Sequence, residues 1–149
     1  MSLQNVAPEE LDPWLISLNL DAESLAIVKE KADVIELPAR ENIFMEGDED
    51  AAAMFLILEG MVLVLKKDEK GQERTVSIIV EGQSFGEVGL LVDQPRMATV
   101  AAGIDTKLLK ITPAVLGELE KNHPQVALSI YKSLARSFAY QWIEMVTKG

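Results

Sequence analysis

The sequence contains no cysteine. Disulfide bridges, thiolate zinc sites and a cysteine nucleophile are therefore excluded. Positive charge is also scarce: 14 Lys and Arg stand against 24 Asp and Glu, a formal net charge of −10. A protein that grips a duplex neutralises phosphates with a basic stripe. None is visible, so direct contact with nucleic acid is not expected. A single small phosphate ester is a different matter, because one placed arginine and a few backbone N–H groups suffice to hold it. No apolar run approaches the roughly 20 residues that span a bilayer. Met1 to Glu10 lacks the basic stretch and apolar run of a secretory signal. A cytoplasmic protein with no membrane association is expected. There is no internal repeat or low-complexity tract. No nucleophile, base and orienting group emerge as a set, so the chain is not expected to be an enzyme. The acidic clusters at Glu46 to Asp50 and at Asp68-Glu69 read as solvated turns, and no metal site is expected.

What is present is a chain of 149 residues, a length that suits one domain with a real hydrophobic core. It divides into three segments. Residues 1–33 read as helical: Asp12-Pro13 is a cap followed by a proline at the first helical position, and Trp14, Leu15 and Leu18 supply an apolar face. Asp21 then caps a second helix with Leu25 and Val28 inward. Residues 34–111 read as β, with strands at Val34 to Leu37, Ile43-Phe44, Met54 to Leu58, Met61 to Leu65, Thr75 to Val80, Val100 to Ala102 and Leu108 to Ile111. Gly60, between two apolar runs, marks a tight reversal, and Lys66 to Arg74 reads as the tip of a longer hairpin. Short strands spaced by turn signals favour a sandwich or barrel. Residues 112–149 read as helical again, opening on Thr112-Pro113 and broken at Lys121 to Pro124. A long amphipathic helix follows, with Val126, Ile130, Leu134, Phe138 and Ile143 near 3.6-residue spacing.

One stretch interrupts the β pattern: FGEVGLLVDQPRMATV, Phe85 to Val100. Glu87 to Leu91 reads as one helical turn whose early N–H groups lack internal partners and carry partial positive charge. Gly86 and Gly89 would let a phosphate approach the backbone. Arg96 can fold back to donate two hydrogen bonds to phosphate oxygens, and Glu87 can accept one from a sugar hydroxyl. The structural alternative is that Glu87 and Arg96 simply pair with each other.

The stretch resembles the phosphate-binding cassette of the cyclic nucleotide-binding domain family, which includes the catabolite activator proteins, the regulatory subunits of cyclic-AMP-dependent kinase and the cyclic-nucleotide-gated channels. Ile43 to Asp48 (IFMEGD) and Phe55 to Val62 resemble the family's upstream turn and hairpin, and the likeness extends from about Ile27 to Phe138. It implies a mainly β fold: an eight-stranded β-roll of the jelly-roll type with N-terminal helices and a C-terminal lid helix. It implies that Glu87 takes the ribose 2′-hydroxyl and Arg96 the cyclic phosphate. Phe85, Gly86, Val88, Gly89 and Leu90 would line the site, Ala98 would add a donor, and Val76 and Ile78 would wall the base. Met97 stands where the family has a small residue, Thr or Ser. It offers no hydroxyl to a guanine amino group, which favours cyclic AMP over cyclic GMP as the ligand, and no other cofactor is implied. Tyr140 and Gln141 lie where the lid helix would close, and Gln141 could meet the adenine edge.

The expected function is a regulatory module that senses a cyclic nucleotide and moves its C-terminal helix toward an effector protein. The competing reading is a scaffold of the same fold that binds no nucleotide and acts through protein contacts. No helix-turn-helix follows the last helix within 1–149, so either a stand-alone sensor or a piece of a longer protein is expected. Leu134, Phe138, Ile143 and Val146 offer a face for a homodimer through that helix.

Overall fold

The computed structural model describes residues 16–18, 20–49 and 52–148. The cap at Asp12-Pro13 and the face at Trp14 and Leu15 lie outside them. The described chain starts in a two-residue strand, β1 (Ile16–Ser17), and continues into α1 (Ala22–Lys31). The helical reading of residues 1–33 is thus corrected at Ile16 and Ser17, which pair with Ser84 and Gln83 of a later strand. The sequence carries no local signal for two residues recruited by an edge. The second helix is as expected. The Asp21 side chain accepts from Ser24 N at 2.7 Å, Val28 is fully buried, and Leu25 packs against the same core.

The strands are β2 (Asp33–Leu37), β3 (Asn42–Phe44), β4 (Met54–Glu59), β5 (Met61–Lys67), β6 (Glu73–Val80), β7 (Gln83–Phe85), β8 (Thr99–Ala102) and β9 (Thr106–Ile111). With β1 set aside, these are eight strands among the described residues. They form two antiparallel sheets, ordered β1-β7-β4-β9-β2 and β3-β8-β5-β6. The fold is the mainly β roll with flanking helices that the sequence implied.

Strand β4 shows why the apolar runs are continuous. Phe55 and Ile57 face the space between the sheets. Met54 and Leu56 face the helices on the other side. A strand covered on both faces has no polar phase. Strand β9 repeats the pattern, with Leu108 toward the roll and Leu109 and Ile111 toward the helices. Against that outer face pack Val28, Leu116, Leu119, Val126, Ala127, Ile130 and Leu134, all buried.

The reversal at Gly60 requires a correction. Strands β4 and β5 are not paired; they lie in different sheets. Gly60 is the corner where the chain crosses between them. Its φ is +103°, and an added Cβ would meet Thr106 Oγ1 at 2.6 Å and Asp105 O at 2.8 Å, so only glycine fits there. The long hairpin is β5–β6, which closes at Lys67 and Glu73.

Helix α3 (Pro113–Asn122) follows Thr112, whose hydroxyl accepts from Val115 N at 3.2 Å. Helix α4 (Pro124–Lys148) runs 25 residues. No helix among the described residues is long and apolar enough to cross a membrane.

Candidate functional site

Between the sheets, at the end where β7 runs into the short helix α2 (Glu87–Leu91), lies a cavity of about 410 Å³. Gly86 sets the corner. It precedes α2 with φ +84° and ψ 10°, a left-handed conformation that a side chain disfavours. An added Cβ would stand 2.9 Å from Arg96 Nη1 and 3.2 Å from Ala53 O, so the arginine and the glycine occupy complementary space.

Arg96 is 7% exposed. Its Nη1 donates to Gly86 O at 3.0 Å and its Nη2 to Ala53 O at 2.8 Å. The guanidinium lies over the Phe44 ring, 4.0 Å from the centroid. Phe44 in turn contacts Phe55 and Phe85, with centroids 6.1 and 6.0 Å away. The arginine backbone is held just as closely: Arg96 N donates to Asp48 O, and Gly47 N donates to Arg96 O, both at 2.8 Å. The Glu46-Gly47-Asp48 turn therefore clamps the residue that the cassette places. The Asp48 carboxylate steadies the turn by accepting from Met45 N at 2.9 Å, and Thr99 Oγ1 accepts from Glu46 N at 2.9 Å.

Glu87 is likewise 7% exposed. Burial pushes its carboxyl up to about 7, against the opposing pull of its own backbone N–H and of the Arg96 charge. A group in that range can donate or accept as the cavity's occupant requires.

A third charged group was not singled out from the sequence. Lys66 lines the cavity. Its Nζ donates to Met97 O at 2.7 Å and stands 3.4 Å from Glu46 Oε2. Glu46 Oε1 accepts from Lys67 N at 3.2 Å. That bond is the largest influence holding the Glu46 carboxyl below its usual range, with Lys66 and Lys67 acting in the same direction. The signal for Lys66 was available: two-residue periodicity puts it on the inner face of β5 with Val62 and Val64, both buried.

Of the residues singled out from the sequence, the structure gathers Phe85, Gly86, Glu87, Val88, Gly89, Arg96, Met97, Ala98 and Gln141 around the cavity. Gln141 comes from α4, and its Nε2 is buried with no hydrogen-bond partner among the described residues. Four residues do not line it. Val76 and Ile78 point outward, 44% and 52% exposed, while Ser77 and Ile79 point inward. The expectation took the wrong phase of β6 because Val76, Ile78, Ile79 and Val80 make both phases look apolar. A register shift at Val64/Leu65 also leaves Val76 unpaired. Leu90 packs instead against the core under the helices. Tyr140, half-buried, precedes Gln141 and is turned away from the cavity by the helical step of about 100°. The sequence reading also missed Phe44, Ile79, Val64, Pro95 and Val100, which complete the wall.

Comparison with known proteins points to one family. A family model described as "Cyclic nucleotide-binding domain" matches residues 34–123. The Cyclic AMP receptor protein of Thermus thermophilus is 34% identical over 99 residues, which cover 66% of this chain and 45% of that protein. Lysophospholipase NTE1 of Chaetomium globosum is 29% identical over 101 residues, 68% of this chain but 7% of that protein. The chain thus spans less than half the length of either curated relative. Among solved structures, the Thermus thermophilus catabolite activator protein superposes with a TM-score of 0.73 at 29% identity, covering 87% of this chain and 60% of that one.

Proposed function

The chain belongs to the cyclic nucleotide-binding domain family, and on that premise we propose that it senses cyclic AMP in the cavity beside Arg96 and reports occupancy through α4. The observation that carries the reading is the convergence of Arg96, the Gly86 corner and Glu87 on one cavity that Gln141 of α4 also lines. The cyclic phosphate is taken by Arg96, whose fork suits phosphate oxygens, and the ribose hydroxyl by Glu87. Phe85, Gly86, Val88, Gly89 and Ala98 shape the space around the phosphate. The purine lies toward Val64, Ile79 and Gln141, in place of the Val76 and Ile78 wall.

Cyclic AMP is preferred to cyclic GMP because Met97 presents a thioether where a guanine amino group would need a hydroxyl. The signal leaves through α4, since a base that satisfies the buried Gln141 amide binds one position of that helix better than another. Leu134 is buried in this chain's own core and Phe138 packs against it, so the homodimer face expected from the sequence does not include them; an effector protein that reads α4, or a second copy of the chain docking elsewhere on that helix, receives it.

Calorimetric titration with cyclic AMP and cyclic GMP, with Arg96→Ala as the control, tests the reading. Loss of a buried charge-assisted phosphate contact should weaken cyclic AMP binding roughly a hundredfold. If the folded, ligand-free protein gives no heat with either nucleotide, the non-binding scaffold takes the place of this reading.

A further inference from the structure

Lys66 departs from the pattern of the strand that carries it. The inner phase of β5 runs Val62, Val64, Lys66, and the first two are 0% and 1% exposed. A third residue of that phase belongs to the same cavity wall, and here it is an ammonium group. An inward cation costs desolvation unless something answers its charge. In this structure two groups answer it, Met97 O at 2.7 Å and Glu46 Oε2 at 3.4 Å. The 3.4 Å contact is long for a charge-assisted bond, and both side chains remain partly open to solvent. An ammonium carries three N–H donors, so one remains for the cavity. Met97 is the residue after Arg96, so the lysine and the arginine flank the same short piece of backbone.

We infer that Lys66 is a second cationic contact for the anionic ligand of this cavity, held by Glu46 while the cavity is empty and released toward the ligand when it is filled. The inference rests on the cyclic nucleotide reading given above and adds to it a charge that the cassette does not supply. Arg96 is committed to two backbone carbonyls and lies beneath the ligand space on Phe44. Lys66, on a flexible stem that stays 44% exposed, is the cation that can move. Glu46 competes with the ligand for it. Removing the competitor should therefore help binding, whereas a merely structural strap between β5 and the Met97 backbone would give the opposite sign.

The test is calorimetric titration of cyclic AMP into the wild type, Lys66→Met, Lys66→Arg and Glu46→Gln, each at low and high salt. Arg96→Ala is the control, and thermal melts of the unliganded proteins are run alongside. Glu46→Gln keeps an oxygen for Lys67 N, so the turn is retained. The expected results are about tenfold weaker binding in Lys66→Met with a shallower salt dependence, near-wild-type binding in Lys66→Arg, and a few-fold tighter binding in Glu46→Gln. Wild-type affinity in Lys66→Met, or weaker binding in Glu46→Gln, would overturn the role of Lys66 while leaving the nucleotide reading intact. A wild type that binds neither cyclic AMP nor cyclic GMP would remove both.

Discussion

The Arg96 guanidinium lies over the Phe44 ring, 4.0 Å from its centroid, with its Nη atoms anchored on Gly86 O and Ala53 O. The arginine is therefore placed before any ligand arrives. A side chain with about 2 kcal/mol of rotamer entropy to lose has already lost it on folding, and the anion meets a preformed fork.

Phe44 should consequently matter to binding although it is not part of the cassette. Phe44→Leu keeps the apolar contact with Phe55 and Phe85 but removes the π face. Cyclic AMP affinity is expected to fall by about 1 kcal/mol, roughly fivefold. Titration calorimetry measures this, and an unchanged affinity would show that the two carbonyls alone orient the arginine.

Gly86→Ala should be worse for both folding and binding. Its φ of +84° is strained for alanine, at about 1–2 kcal/mol, and the new methyl would stand 2.9 Å from Arg96 Nη1. Thermal denaturation should show a midpoint lower by several degrees. Binding should weaken beyond what the lost stability explains, because the arginine must shift.

Glu87 gives the protein a pH dependence with a defined sign. Its folded-state pKa is raised from 4.5 to about 7, so the native state holds the proton more tightly than the unfolded chain. The stability it contributes is fully present below about pH 4.5 and is lost as pH rises through about 7, amounting to about 3 kcal/mol across that window. Glu87→Gln has no such proton to lose. The stability difference between the wild type and this variant, measured by urea denaturation at pH 5 and pH 8, should therefore shift against the wild type at the higher pH. A difference that stays constant with pH would mean that Glu87 titrates near its ordinary value.

The inward phase of β6 can be tested with adjacent residues. Ile79 is fully buried and Ile78 is 52% exposed. Ile79→Ser leaves a cavity and an unsatisfied hydroxyl, and should destabilise by about 3–4 kcal/mol. Ile78→Ser should stay within about 0.5 kcal/mol and leave cyclic AMP affinity unchanged. Equal effects would contradict the register of the β5–β6 hairpin.

Coupling to α4 has an optical readout. Gln141 lines the cavity and its neighbour Trp142 is 62% exposed. In a Trp14→Phe background Trp142 is the sole tryptophan. Saturation with cyclic AMP should change its emission, and Arg96→Ala should abolish the change at the same nucleotide concentration. Binding without any change in emission would mean that the surroundings of Trp142 on α4 do not respond to the ligand.

The sequence by itself determined what is local. Caps at Asp21 and Thr112, the turn at Glu46 to Asp48, the helical turn at Glu87 to Leu91 and the order Gly86, Glu87, Arg96 are short-range patterns, because each depends on bonds between residues close in the chain. Only the tertiary structure decided the rest. Gly60 separates strands of different sheets rather than closing a hairpin, a matter of which long-range partners win. The phase of β6 was ambiguous while both faces read as apolar, and pairing with β5 resolved it. Phe44 reaches Arg96 and Lys66 reaches Met97 from 52 and 31 positions away in the sequence, and Gln141 joins the same cavity from α4; no periodicity links residues so far apart. The raised pKa of Glu87 follows from burial, which belongs to the packed molecule and not to any segment of it.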